Sequence, residues 1–290
     1  MTRRYARLAW TAAACTYLLI ILGAVVRITG SGLGCGEHWP LCNGRLLPPL
    51  DLPTWIEWSH RLVAGLVTGL VAALGGYTWW LRRQGAASRE QYVPAKTGYV
   101  ALVVLAIQVA LGAIAVKLSL PPWTVILHLG TAMLLLATLL VAAQLTPGAP
   151  PGKLAAGILL LTLTTVLLGA LTANLGAATA CLGFPLCNGQ LAPDGNYTQQ
   201  IHWAHRLLAY TLFAVALWWA QRTRRRGPAV VFALVMLQLM VGATMVLLSL
   251  PRILQAAHVA VGAAVWSAVV LTTTGIRNTV DSQTSRRPDA

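Results

Sequence analysis

The sequence offers six histidines and five cysteines as candidate reactive or ligating residues. Four of the histidines lie at corresponding positions in long apolar segments: His60, His128, His205 and His258. Ionisable side chains are costly inside a membrane and are functional by default. A lone histidine there often serves only as an interhelical hydrogen-bonding group, but four at matched positions favour a shared role as ligands.

The number of histidines in each half distinguishes between possible metal sites. A structural zinc site takes four protein ligands and a catalytic one takes three, whereas each half offers two histidines and no cysteine at their depth. A haem needs only two axial imidazoles, because the porphyrin supplies the other four nitrogens, and histidine is an established axial ligand. We predict iron ligation of one haem by His60 and His128, and of a second by His205 and His258.

Glu57 distinguishes the two predicted sites. It lies three residues before His60 and therefore on the same helix face, and it is the sole acidic residue in a predicted membrane segment. Either it pairs with Arg61 or Arg27, or it accepts a proton beside the first iron, and we favour the proton acceptor. The matching residue of the second half is His202, which indicates that the second haem only transfers electrons.

Other polar residues near the histidines allow more than one interpretation. Arg61 and Arg206 each follow a predicted ligand and either pair with haem propionates or snorkel to the surface. His202 either supports the second site, for example through a propionate, or lies at the interface beside Trp203. His38 falls in a loop, and the sequence assigns it no role.

Two cysteine pairs, Cys35 with Cys42 and Cys181 with Cys187, lie in loops before helices that carry ligands. On the outer side of a bacterial membrane such thiols oxidise to disulfides, although four cysteines permit three connectivities. The bridges either hold each loop as a lid over its haem or exchange with an external thiol protein. The fifth cysteine, Cys15, is interpreted as a small buried apolar residue.

The composition predicts an all-α polytopic membrane protein. The chain of 290 residues is 57% hydrophobic and 10% charged, whereas soluble domains carry about 25% charged residues. Eight apolar segments are long enough to span the roughly 30 Å of hydrocarbon. They cover approximately residues 9–29, 57–80, 95–117, 123–144, 154–174, 202–220, 228–248 and 253–275.

An internal repeat divides the chain into residues 1–147 and 148–290. Leu-Cys-Asn-Gly follows Pro in both loops, and Ser-Leu-Pro precedes a ligand histidine in both halves. Four helices per unit give both units the same orientation, as in parallel repeats. We predict two pseudo-symmetric four-helix bundles that lie side by side, each with one histidine pair. Gly65 and Gly69 form a G-x-x-x-G motif that permits close helix approach.

The basic residues predict the orientation in the membrane. Most of the 21 Lys and Arg residues fall in the connections on one side if the N-terminus lies inside. Both termini are then cytoplasmic and both cysteine loops face outward from a bacterial cell (inner) membrane. The net charge of +14 is therefore a topology signal, and nucleic acid is not an expected partner.

The chain resembles a haem A synthase of the bacterial type that has a cysteine pair in each half. The resemblance covers residues 27–258 and rests on Gly-Ser-Gly-x-x-Cys35, Trp-Pro-Leu-Cys42 and Glu57-x-x-His60-Arg61. It implies oxidation of the C8 methyl group of haem O to a formyl group by successive hydroxylations, which gives haem A for terminal oxidases. It also implies catalytic Glu57, haem O between His60 and His128, and haem b on His205 and His258.

The resemblance further implies a haem O synthase as a partner and a membrane electron acceptor such as a quinone. The sequence leaves homo-oligomerisation open. Two alternatives are a di-haem b cytochrome in quinol electron transfer and a membrane thiol-disulfide oxidoreductase. The first does not explain Glu57, and the second does not require the four histidines.

Overall fold

The computed structural model describes residues 3–49, 51–84, 92–144, 151–193 and 195–275. In these ranges the chain forms eight α-helices and a short 3₁₀ helix, Ala177–Thr179, with no β-strand beyond two isolated bridges. The predicted all-α class is confirmed. The helices are α1 (Arg3–Ile28), α2 (Leu52–Arg83), α3 (Tyr92–Lys117), α4 (Pro122–Ala143), α5 (Lys153–Asn174), α6 (Tyr197–Thr223), α7 (Arg226–Leu247) and α8 (Arg252–Gly275).

Seven of the helices in the described part of the chain are long and apolar enough to cross a membrane, which makes this a multi-pass membrane protein. The eighth, α6, is 27 residues long but more polar. Its first three turns carry Gln199, Gln200, His202, His205 and Arg206, and these residues lower its mean hydropathy.

The helices that carry the first histidine of each half begin earlier than the sequence predicted. α2 begins at Leu52 rather than 57, and α6 begins at Tyr197 rather than 202. A side-chain cap starts each helix, because Asp51 accepts the backbone N–H of Thr54 at 3.1 Å and Asn196 accepts that of Thr198 at 3.2 Å. Such caps satisfy donors that a helix start otherwise leaves free, so hydrophobicity alone places the boundary too late.

Each half forms a ring of helix contacts. α1 packs on α2 and α4 while α3 packs on α2 and α4, and α5 to α8 repeat this pattern. The halves meet where α8 packs on α1 and α4 and where α5 packs on α4. There Trp266 Nε1 donates to the Met133 carbonyl at 2.8 Å, and the Tyr17 hydroxyl donates to the Ala260 carbonyl at 2.9 Å.

The connections repeat the same backbone conformations in both halves. Asn43 and Gly44 have positive φ values of 50° and 73°, and Asn188 and Gly189 have values of 53° and 83°. Asn-Gly is a preferred pair for a tight turn that needs positive φ at two residues. The two turns therefore have the same backbone conformation, and each directly follows the second cysteine of its loop, Cys42 or Cys187.

Candidate functional site: two histidine pairs beneath disulfide loops

Each of the four apolar-segment histidines packs against a glycine of the preceding helix. A Cβ built on that glycine would lie between 2.8 and 3.2 Å from the histidine Cε1 atom, closer than side chains normally pack. The absence of a side chain therefore lets the imidazole reach the backbone of the neighbouring helix. The pairs are Gly23 with His60, Gly112 with His128, Gly169 with His205, and Gly242 with His258.

We call these four residues the seat glycines. The sequence analysis did not predict their contacts with the histidines, although one of them lies in each of α1, α3, α5 and α7. The G-x-x-x-G motif attracted attention instead. Among the described residues the motif makes no such contact, because nothing lies within 4 Å of a Cβ built on Gly65 or Gly69. A glycine motif indicates where a neighbouring helix could approach closely, but only the fold shows which glycines make such a contact.

The histidine pair of the second half lines a shared cavity. His205 and His258 both face a cavity of about 110 Å³ between α5, α6, α7 and α8. His205 Nδ1 lies 3.1 Å from the Thr165 carbonyl oxygen, which requires the proton on Nδ1 and leaves Nε2 free of it. This tautomer and orientation are those of a histidine that binds a metal through Nε2.

In the first half His60 and His128 each pack on a glycine in the same way. His128 Nε2 lies 3.2 Å from the side-chain nitrogen of Gln108. Among the described residues, no partner exists for the buried Nδ1 atoms of His60, His128 and His258. Buried polar atoms are almost always hydrogen-bonded, so three unpaired nitrogens among the four matched histidines are unusual.

Glu57 lies beneath the first disulfide loop and is 3% exposed. Its Oε2 atom accepts the Cys35 backbone N–H at 2.7 Å, and its Oε1 atom accepts Arg61 Nη2 at 2.5 Å. The ion pair with Arg61 predicted as one alternative is therefore confirmed. A carboxylate has about four lone-pair positions, so these two bonds leave acceptor capacity, and the role as proton acceptor stays a prediction.

Arg61 joins α2 to the first loop. Its Nη1 atom donates to the carbonyl oxygens of His38 at 2.6 Å and Leu41 at 2.8 Å. The structure thus gives Arg61 a structural role that the sequence did not show, while its predicted contact with a haem propionate stays a prediction. His38 contributes a backbone carbonyl to this clamp.

Arg206 makes the corresponding clamp in the second half and is 5% exposed. Its Nη1 atom donates to the Gly183 carbonyl at 2.6 Å and the Leu186 carbonyl at 3.0 Å, and its Nη2 atom donates to Cys181 at 2.6 Å. His202, which replaces Glu57, places Nδ1 3.0 Å from the Ala177 carbonyl. Glu57 thus connects α2 to the segment after α1, and His202 connects α6 to the segment after α5.

Both disulfides form within their own loops: Cys35 with Cys42 and Cys181 with Cys187. All four cysteines are at most 1% exposed, so the bridges lie against the helices rather than at the surface. Cys15 is free and half-buried in α1. In the described ranges no group of three or more His, Cys, Asp or Glu side chains forms a metal site.

Known proteins share this chain's sequence over most of its length. The COX15-CtaA family model, described as cytochrome oxidase assembly protein, matches residues 6–53 and 51–270. A Heme A synthase of Bacillus licheniformis is 36% identical over 212 residues, covering 68% of each chain. A Heme A synthase of Symbiobacterium thermophilum is 33% identical over 274 residues, covering 86% of this chain and 88% of that one. This chain belongs to the COX15-CtaA family.

Proposed function

We propose that this protein is a haem A synthase, which oxidises the C8 methyl group of haem O to a formyl group. The observation that carries the proposal is the pairing of two similar histidine sites with a carboxylate, Glu57, at only one of them. The relatives described above are named Heme A synthase, an oxidoreductase activity. The product, haem A, then serves terminal oxidases.

The two halves take different haems in this proposal. Residues 1–147 form the bundle that binds haem O through His60 and His128, and residues 148–290 form the bundle that binds haem b through His205 and His258. The closed ring of helix contacts in each half supports this division. The substrate haem and the cofactor haem would therefore bind in different repeat units.

The residues of the second half fit a haem. Two imidazoles face one cavity, Nε2 of His205 is free to bind iron, and the rest of the lining is largely apolar. A porphyrin needs more than the roughly 110 Å³ present, so its binding must separate the side chains that line the cavity. Haem b, when bound there, would pass electrons one at a time to a membrane acceptor of the quinone class.

Glu57 would act on the substrate in the first half. The first hydroxylation converts the methyl group and a water molecule to an alcohol, with release of two electrons and two protons. The second gives a gem-diol, which loses water to leave the formyl group. Glu57 would take up one of the released protons at a carboxylate oxygen, and Arg61 and the Cys35 N–H hold that carboxylate in place.

The disulfide loops would act as lids in this scheme. Each loop is fixed by its own bridge and by an arginine that donates to at least two of its carbonyls. The burial of the four cysteines argues for the lid rather than for exchange with an external thiol protein. A lid keeps bulk water away from the reacting methyl group and so limits side reactions.

The orientation follows the basic residues. Both termini would be cytoplasmic and both loops would lie outside a bacterial inner membrane. α6 would be the eighth span, because its 27 residues reach about 40 Å at 1.5 Å per residue and it packs on α5 and α7. A haem O synthase in the same membrane would supply the substrate.

Single histidine variants test the division of the sites. His205→Ala is expected to remove the b-type absorbance of the purified protein and leave haem O bound to the first half. His60→Ala is expected to do the reverse, and neither is expected to convert haem O. An unchanged b-type spectrum in His205→Ala, or full conversion in His60→Ala, would contradict the proposal.

A further inference from the structure

A glutamine contacts the second histidine of each half. Gln108 and Gln238 both lie one helical turn before a seat glycine, and each places its side-chain nitrogen 3.2 Å from Nε2 of its histidine, His128 or His258. Nε2 is the atom whose lone pair an iron would take. In both halves the glutamine therefore occupies the position at which the histidine would bind a haem.

The halves differ in what holds the glutamine. In the first half the Thr131 hydroxyl lies against Gln108 Oε1 and also reaches the carbonyl oxygens of Leu127 and His128 in its own helix. Donation to Oε1 turns the N–H groups of Gln108 toward His128. In the second half the corresponding residue is Val261, which has no hydroxyl. Gln238 Oε1 is buried and finds no partner among the residues that the structure describes.

A second substitution gives Gln238 more room. Gly262 follows Val261, and a Cβ built there would lie 3.2 Å from the Gln238 side-chain nitrogen. The first half has Ala132 at this position, a buried residue of the hydrophobic core. Gln108 therefore has a side-chain hydrogen bond at its Oε1 atom that Gln238 lacks.

We propose that Gln108 and Thr131 form a latch on His128 that favours release of haem from the first half. The inference rests on the proposed function, in which the first haem must leave as product and the second must stay. When His128 lets go of the iron, the oriented amide hydrogen-bonds its Nε2 at once. The hydrogen bond would form as His128 leaves the iron, so it would stabilise both the transition state of release and the haem-free state, and haem would leave His128 faster. Gln108 and Thr131 are positioning residues in this scheme.

Exchange of the threonine and valine between the halves tests the latch. Thr131→Val removes the hydroxyl and reproduces the second half, and Val261→Thr adds it there. Thr138→Val is the matched control, because its hydroxyl only bonds the Leu134 carbonyl of its own helix. Purified protein with both haems bound is mixed with excess apomyoglobin as a haem acceptor. Haem O plus haem A, and separately haem b, are then measured by extraction and chromatography over time.

Thr131→Val is expected to lose haem O and haem A about fivefold more slowly than the parent, the factor that one hydrogen bond of ordinary strength contributes. Its haem b, the internal standard, should be lost at the parental rate. Val261→Thr should lose haem b faster. Release from Thr131→Val at the rate of Thr138→Val, or faster, would overturn the latch alone. A parent protein that carries neither haem O nor haem A would overturn the proposed function, and the latch with it.

Discussion

The Glu57 carboxylate accepts the backbone N–H of Cys35 at 2.7 Å, so the first disulfide loop and the helix of His60 share one buried hydrogen bond. Arg61 completes the connection by bonding Glu57 and two loop carbonyls. The second half keeps the arginine and the disulfide but has His202 in place of the acid. The repeat thus preserves the arginine and the disulfide and replaces the carboxylate with an imidazole.

Glu57→Gln separates the charge of this residue from its structural bond. The amide oxygen can still accept the Cys35 N–H, but the group can no longer take up a proton. We expect the rate of haem A formation to fall by about 10²-fold or more, the usual contribution of a positioned base, with haem O still bound. The measurement is haem A formed per bound haem O.

The matched control for Glu57→Gln is Glu37→Gln, an exposed acid in the same loop. It should form haem A at the parental rate. Equal loss of activity in both variants would show that loop charge, rather than Glu57 itself, is responsible.

Gly169→Ala tests the seat of His205. A Cβ there would lie 2.8 Å from the imidazole Cε1 and would push the ring away from the Thr165 carbonyl. We expect haem b affinity to fall by about tenfold or more, as for other changes that disturb the partner of a metal-binding histidine. Haem b content and the b-type absorbance of purified protein report this loss.

Gly157→Ala is the control on the same helix, because nothing lies within 4 Å of a Cβ at that position. It should keep its haem b and gain about 0.5–1 kcal/mol of helix stability. Equal haem b content in Gly169→Ala and Gly157→Ala would show that Gly169 is not needed to position His205.

Arg206→Lys tests the clamp on the second loop. Lysine keeps the charge but cannot reproduce the planar fork that reaches three carbonyls. The loop should open more often, and after addition of a reductant Cys181 and Cys187 should be alkylated at least about tenfold faster, since a hydrogen bond from a charged donor contributes about 1.5–3 kcal/mol. Arg222→Lys, near the other end of α6, should leave this rate unchanged.

Asp51 gives the start of α2 a pH dependence. Hydrogen bonds from the Thr54 hydroxyl and backbone N–H hold the pKa of the Asp51 carboxyl below its usual range. A lowered pKa in the folded state means that the stabilisation is complete above the ordinary value of about 3.9 and is lost as the pH falls through the lowered one. The protection of the amides in the first turn of α2, which is their intrinsic exchange rate divided by the observed rate at the same pH, should therefore fall on acidification.

Asp51→Asn keeps an oxygen that can cap the helix and should remove this pH dependence. In Asp51→Ala the amides of the first turn of α2 should be poorly protected from exchange at every pH. Acid-dependent protection that persisted in Asp51→Asn would assign the effect to another group.

The repeat made the histidine positions and the all-α class predictable, because His60 and His205 stand in matching sequences. The glycine seats and the arginine clamps were not predictable in the same way. Nothing in the sequence around Gly169 shows that His205 packs on it, since the contact depends on the rotation of α5 against α6. Arg61 and Arg206 donate hydrogen bonds to backbone carbonyls. Because every residue carries a carbonyl, the sequence could not show which residues would accept these bonds.

The difference between Thr131 and Val261 was visible in the aligned halves but had no meaning until the fold placed Gln108 and Gln238 beside them. Conversely, the apolar pattern missed the first turns of α2 and α6, where Asp51 and Asn196 act through capping rather than hydrophobicity.

Conversion of haem O in membranes tests the central claim most directly. The protein is produced in cells that make haem O but have no other means of forming haem A, and the membrane haems are extracted and separated. The account predicts haem A with the parent protein, and haem O without haem A with Glu57→Gln. Haem O alone with the parent, at normal protein levels and with haem b bound, would contradict it.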